Sequence, residues 1–313
     1  MMLSRVAENV YWMSRYLERA ENTARMINAT TNLLIDLPRG LTLGWKSMLN
    51  IMGCSKAFGE HYNVADERNV VRFLIADERN PGSIQTSLSA ARENARGLRD
   101  QLQRETWEQI NDLYLYAKRE AGNSLGRRRR YQFMHDIVLR RQAIMGISSS
   151  CMSRNDAYRF IVMGRSLERA DMTTRIVDSS AIELLSQHTD DYETFSNLRW
   201  VNVLRSLSAY QMYRQSVQVR VRGRDVLRYL LQDRAFPRSV AFCLTDLSDC
   251  LKALPNNRKP RRSLSRVLRE IDGADVEALV DSGLQGFLDE VQVGFNDIHA
   301  AIAEIYFRLQ EAA

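Results

Sequence analysis

Residues 15–27 read RYLERAENTARMI and residues 165–177 read RSLERADMTTRIV, an offset of 150 residues from Arg15 to Arg165. Arg15, Leu17, Glu18, Arg19, Ala20, Thr23 and Arg25 recur as Arg165, Leu167, Glu168, Arg169, Ala170, Thr173 and Arg175, and Glu21 becomes Asp171 with its charge kept. A second match follows in the same order. Residues 73–88 (FLIADERNPGSIQTSL) align with 229–244 (YLLQDRAFPRSVAFCL), so that Asp77, Pro81 and Ser83 return as Asp233, Pro237 and Ser239. Trp45 and Trp200 fall at a compatible spacing, each with a leucine four residues on, Leu49 and Leu204. Ordered matches at nearly constant spacing point to a tandem duplication, with units over 1–150 and 151–313 packed as one domain.

The pattern within each unit is helical. Val10, Met13, Leu17, Ala20, Ala24 and Ile27 form one stripe at about 100° per residue. The composition agrees: Leu, Arg, Ala, Glu and Met favour helix, and only 5 Pro and 15 Gly interrupt it. The expected fold is therefore all-α, a multi-helix bundle of two diverged units. First helices are expected over about 4–35 and 154–188, with second helices starting near Trp45 and Trp200. A third then runs up to Pro81 or Pro237, and a fourth starts at Ser83 or Ser239. Closing helices run over about 131–147 and 285–310, and the first unit has an extra helix near 101–121. The prolines lack the N–H that a helix interior needs, and the serines just beyond them are N-cap residues, so NPGS and FPRS read as sharp helix-to-helix turns. Phosphate binding at Gly82 is the weaker reading, because Arg238 stands there in the second copy.

The polar face of the first helix is the main functional candidate. On the helical wheel Arg15, Glu18, Glu21, Asn22 and Arg25 gather opposite the apolar stripe, with Arg19 on a flank. Arg165, Glu168, Arg169, Asp171 and Arg175 repeat the arrangement. A solvated face tolerates exchange, yet this cluster persists where much around it has diverged. An interhelical ion network is the leading explanation, then a ligand or partner surface, then catalysis, with a common groove between the two faces as the testable form. Weaker candidates are His61, Asn63 and Asp66, which the second copy lacks, and the turn residues Asp77, Ser83, Asp233 and Ser239.

Other chemistry is sparse. The four histidines, His61, His135, His188 and His299, show no ligand spacing, and Cys54, Cys151, Cys243 and Cys250 contain no CxxC pair, so no metal or cofactor is expected. The cysteines read as reduced and packed. No run approaches the roughly 18 apolar residues of a membrane span, and charges break any signal core near the start. A cytoplasmic, non-membrane protein is the expectation. Lys and Arg exceed Asp and Glu by 44 to 38, which with formally neutral His gives a net charge of +6 and mildly favours acidic partners. Two basic runs, GRRRR at 126–130 and RKPRR at 258–262, are placed in loops. No aromatics interleave them, so a single-strand stacking platform is not indicated; solvated charge is the first reading and an acidic protein partner the next, with nucleic acid behind.

The stretches LSRVAENVYWMSRYLERAENTARMI, WKSMLNIMG, FLIADERNPGSI, FIVMGRSLERAD and FPRSV together resemble the bacterial alpha-E domain family, over nearly the full chain. The resemblance implies an all-helical protein in which Glu18 and Glu168 are the characteristic glutamates. It also implies association with a circularly permuted ATP-grasp ligase and a transglutaminase-like protein, in the synthesis or modification of a peptide. Three functions remain on that basis: a non-catalytic scaffold or accessory protein, a helical enzyme acting on a peptide or small amino compound at a Glu/Arg-lined site, and a nucleic-acid binder using its basic loops, in that order.

Overall fold

The computed structural model describes residues 2–36, 45–98, 100–185, 192–217 and 220–308. Among these residues every regular element is helical. The chain divides into two units, with the boundary between Arg165 and Ser166.

The first unit holds α1 (Ser4–Asp36), α2 (Lys46–Ile51), α3 (Ser55–Gly59), α4 (Glu67–Ile75), α5 (Ile84–Arg96), α6 (Arg104–Glu120) and α7 (Arg127–Cys151), with a 3-10 turn (Ala121–Ser124) between the last two. Helix α8 (Asp156–Leu185) begins in this unit. Helices α1, α5, α6 and α7 pack in a ring, each against the next and α7 back against α1. The core is what their periodicity dictates. Helix α5 contributes Ile84, Leu88, Ala91 and Ala95, α6 contributes Ile110, Leu113 and Ala117, and α1 contributes the whole stripe from Val10 to Ile27.

The second unit contains the rest of α8, then α9 (Tyr192–Ser206), α10 (Tyr210–Ser216), α11 (Gly223–Gln232), α12 (Val240–Lys252), α13 (Arg258–Asp272), α14 (Val276–Asp281) and α15 (Leu284–Tyr306). Helix α12 packs on α13 and α13 on α15. Helix α8 meets the start of α12, where the Thr173 hydroxyl donates to the Arg238 carbonyl at 2.9 Å.

The turns follow their sequence logic. Ser83 and Ser239 are extended N-caps whose hydroxyls accept from the backbone N–H of Thr86 and Phe242, each at 3.1 Å. Each approach has an aspartate that accepts from the N–H two residues on, Asp77 from Arg79 at 3.0 Å and Asp233 from Ala235 at 2.8 Å, and beyond that the two differ. In the first unit the buried Asn80 donates to the Phe73 carbonyl at the end of α4 and accepts from Gly82 N, stapling α4 to the turn. In the second, the Asp233 carboxylate also accepts from the N–H of Phe236.

Several expectations need correction. Both basic runs are helical, not loops: GRRRR enters the first turn of α7 and RKPRR forms the first turns of α13. Pro260 is tolerated there because a first-turn N–H has no intrahelical partner to lose. Trp200 lies within α9 rather than at a helix start. The helix at 101–121 is present as α6, but the second unit also has helices between α12 and its last, namely α13 and α14. Part of the predicted 154–188 helix, and His188, lie outside the described residues. Of the four cysteines, Cys243 is buried, Cys54 and Cys250 are half-buried, and Cys151 is exposed rather than packed. Burial raises the Cys54 thiol to about 11, which keeps it protonated and unreactive.

Candidate functional site

The polar face of α1 is buried. Glu18 and Glu21 are 0% and 1% exposed, and Asn22 is buried as well. No residue from 6 to 31 is exposed, so α1 has no solvated side on which to place its charges. The same holds for residues 156–179 of α8, including Glu168 at 3%. The wheel separates an apolar arc from a polar arc correctly. It assumes that only one arc is covered.

The charges are tolerated because they are matched. Arg141, on the buried stripe of α7, donates from Nη2 to Glu18 Oε2 and places Nε 3.0 Å from Glu21 Oε2. Arg25 donates from Nε to Glu21 Oε1 at 2.7 Å, one helical turn along. Two carboxylates and two guanidiniums thus meet between α1 and α7, with Arg141 only 3% exposed. A charge buried to this degree persists only when it is paired and hydrogen-bonded. In the second unit Arg175 donates to Asp171 at 2.9 Å, in a half-buried i,i+4 pair. Arg169 donates to the Pro237 carbonyl at 3.2 Å, which ties α8 to the FPRS turn. Arg15 lies over the rings of Trp12 and Tyr11, at 4.9 and 5.7 Å from their centroids, and Arg19 over Tyr16 at 5.6 Å. Arg165 is half-buried on α8.

Arg141 was not among the sequence candidates, although the signal was there. The buried positions of α7 include Arg130, Met134, Ile137, Arg141, Ile144 and Ser148, which advance by four, three, four, three and four residues. An arginine on that seam must find a carboxylate inside. Arg130 obeys the same rule: it is 1% exposed, donates to Glu67 Oε1 at 2.6 Å and lies 5.6 Å from the Trp45 ring centroid. Arg127 holds the other Glu67 oxygen at 2.8 Å. Half of the first basic run is therefore committed to an internal carboxylate.

These guanidiniums pull the Glu67 carboxyl down from 4.5 to about 2, with Arg127 the first cause and Arg130 behind it. A depressed folded-state pKa adds stability above the unfolded value and loses it as the pH falls through the folded one. Glu67→Gln is therefore expected to unfold more easily than the parent at pH 7. The gap should close between about pH 4.5 and pH 2, the window set by those two values. Urea melts at pH 7, 4 and 2 check this, and a gap unchanged at pH 2 refutes the assignment.

The weaker candidates are structural or exposed. Asp66 caps α4, accepting from Asn69 N at 2.8 Å. His61 and Asn63 are exposed, and the His61 imidazole makes no hydrogen bond to Asp66. Asp77 accepts from the Tyr62 hydroxyl at 2.6 Å and from Arg79 at 2.9 and 2.6 Å. Arg79 first, then the Tyr62 hydroxyl, hold the Asp77 carboxyl well below the usual carboxylate range. This lock fixes the turn entered by Pro81. Among the described residues no group of three or more His, Cys, Asp or Glu side chains is arranged to hold a metal ion. None of their helices is long and apolar enough to cross a membrane.

The described residues thus define an all-helical protein that encloses glutamate–arginine pairs between its helices. Residues 2–307 match the family model described as a predicted alpha-helical domain with a conserved ER motif, and the chain belongs to this Alpha-E family. The ER dipeptide occurs here at Glu18–Arg19, Glu67–Arg68, Glu78–Arg79 and Glu168–Arg169. The chain is also similar to uncharacterized proteins of Mycobacterium bovis and Mycobacterium tuberculosis, each 23% identical over 325 residues. That alignment covers 96% of this chain but 36% of either relative, so the chain spans about a third of their length. No solved structure matches.

Proposed function

We propose that this chain is a non-catalytic scaffold or accessory protein that works with a larger partner in the cytoplasm. The observation that carries the reading is the coverage: nearly all of this chain corresponds to about a third of each mycobacterial relative. Each relative joins the matching segment to further chain, and a helical module of this kind is suited to associate with what that further chain carries. The family resemblance suggests an ATP-grasp ligase and a transglutaminase-like protein as partners, in a peptide synthesis or modification system, with an acidic or peptide substrate.

The geometry of the Glu/Arg clusters favours an interaction role over chemistry. A general base needs a carboxylate that substrate can reach, whereas Glu18 is fully buried and bonded to Arg141. A helical enzyme using Glu18 or Glu168 therefore has less support than a framework that presents its outer surface. We read that framework as a duplicated one. Its support is the paired ERA segments, the matching Ser83 and Ser239 caps, and the similar roles of α5 with α6 and of α12 with α13 in packing.

Gentle affinity purification of the tagged chain from its native host, followed by mass spectrometry, tests the proposal. Stoichiometric recovery of an ATP-grasp or transglutaminase-like protein is the expected result. Recovery of the chain alone, from cells in which the candidate partners are at least as abundant as the tagged chain, overturns it.

A further inference from the structure

The second basic run differs from the first in how its charges are used. On α13 the residues facing α15 are neutralised: Lys259 donates to Glu304 at 2.5 Å, and Arg266 donates to Asp297 at 2.6 Å and lies 3.8 Å from Glu270. Asp272, the other acid of the helix, is held by Arg234 at 2.6 Å. Arg258, Arg261, Arg262 and Arg269 are exposed, and among the described residues their guanidiniums make no ion pair or hydrogen bond.

At about 100° per residue, Arg258, Arg262 and Arg269 lie within about 40° of one another, in a line roughly 16 Å long at 1.5 Å rise per residue. Arg261 flanks the line. The opposite face is fully used: Pro260, Leu264, Val267 and Ile271 are buried in the unit's core. Three of the four free arginines fall in the first turns, where the helix dipole favours acids, and the first turn contains none. Their placement opposes the helix's own stability, so folding does not explain it.

The chemistry around the ridge selects the occupant. Its apolar face is not available to enter a bilayer, and no aromatic residue lies on α13 to stack a base. The ridge is also narrow. Packed helices sit about 8–10 Å apart, and on the side facing α15 the charges are already cancelled in the Lys259–Glu304 and Arg266–Asp297 pairs. A duplex, with grooves about 12 and 6 Å wide, would set phosphates over those pairs, where no free cation meets them. A single helix, about 10 Å across, would not. We infer that the α13 ridge docks a helix of a partner protein that carries carboxylates at four-residue spacing. This inference rests on the accessory-protein reading only for where that helix comes from.

The test uses the full chain and a labelled alanine-based peptide with Glu at every fourth position, followed by fluorescence anisotropy at low salt. Arg258→Gln with Arg262→Gln should weaken binding roughly two- to twenty-five-fold, the range for two exposed ion pairs. Its melting temperature should not fall, since both changes remove charge that opposes the dipole. Arg128→Gln with Arg129→Gln, an equal loss of charge from exposed positions on α7, should weaken binding less than twofold. Equal weakening by the two variants, no binding of the peptide, or tighter ridge-dependent binding of a DNA duplex overturns the inference. The native-host purification repeated with the α13 variant separates the two proposals. Partners retained by the variant sink the ridge and spare the accessory role. Peptide binding by a chain that recovers no partner does the reverse.

Discussion

Replacing Arg141 with Met should lower the melting temperature by on the order of 10 °C. The change takes away the guanidinium that Glu18 and Glu21 share, while their carboxylates stay within a helix that has no exposed residue from 6 to 31. Removing one partner of a buried ion pair costs about 3–5 kcal/mol, because the remaining charge is left desolvated. In a protein of this size each kcal/mol moves the midpoint by roughly 2–4 °C. Lys at 141 keeps the charge but loses the fork that reaches two carboxylates at once, so Arg141→Lys should fall between. The diagnostic variant is Arg141→Met combined with Glu18→Gln, which removes opposite charges together and should recover part of the loss. Calorimetry of the four proteins decides. If Arg141→Met melts within 2 °C of the parent, the network adds nothing to stability and its retention in α1 needs another cause.

Much of this framework is legible in the sequence, but unevenly. The apolar stripe of α1, the serine caps and the helical character of nearly every segment follow from local rules: period, capping chemistry and the missing N–H of proline. Local rules do not report how many sides of a helix are covered. A wheel of α1 alone leaves open whether Glu18 is solvated or enclosed, because it carries no information about α5 and α7, which pack on it. The partner was nonetheless written into another segment, since Arg141 and Arg130 stand on the apolar seam of α7. The misplacement of RKPRR has a different origin. Proline and a dense charge run suggest a loop, yet Leu264, Val267 and Ile271 continue a helical stripe behind them, and Pro260 occupies the turn in which it does no harm. For function the limit is more basic. The paired glutamates are conspicuous in sequence for a reason that folding can supply, and the surface arginines that folding does not explain are less conspicuous.

Gly164→Ala and Gly146→Ala should shift stability in opposite directions. Both glycines lie inside long helices, where alanine is intrinsically better by about 1 kcal/mol. Nothing lies within 4 Å of a Cβ built on Gly146 in α7, so Gly146→Ala should raise stability by up to that amount. A Cβ on Gly164 would sit 2.4 Å from the Tyr11 carbonyl oxygen and 3.2 Å from its carbon. That obstacle is backbone, so no rotamer change relieves it and α1 must move away from α8. Overpacking of this kind costs about 1–3 kcal/mol, enough to outweigh the propensity gain. One turn away the Ser14 hydroxyl donates to the Ile161 carbonyl at 2.7 Å, and this buried bond stretches if the helices separate. Ser14→Ala should therefore lose less in the Gly164→Ala background than in the parent, because the bond it removes is already weakened there. Chemical denaturation of the single variants and the double variant measures that coupling. Additive losses would mean that the helices accommodate the methyl group without parting at Ser14, and a stabilised Gly164→Ala would mean that they do not approach so closely.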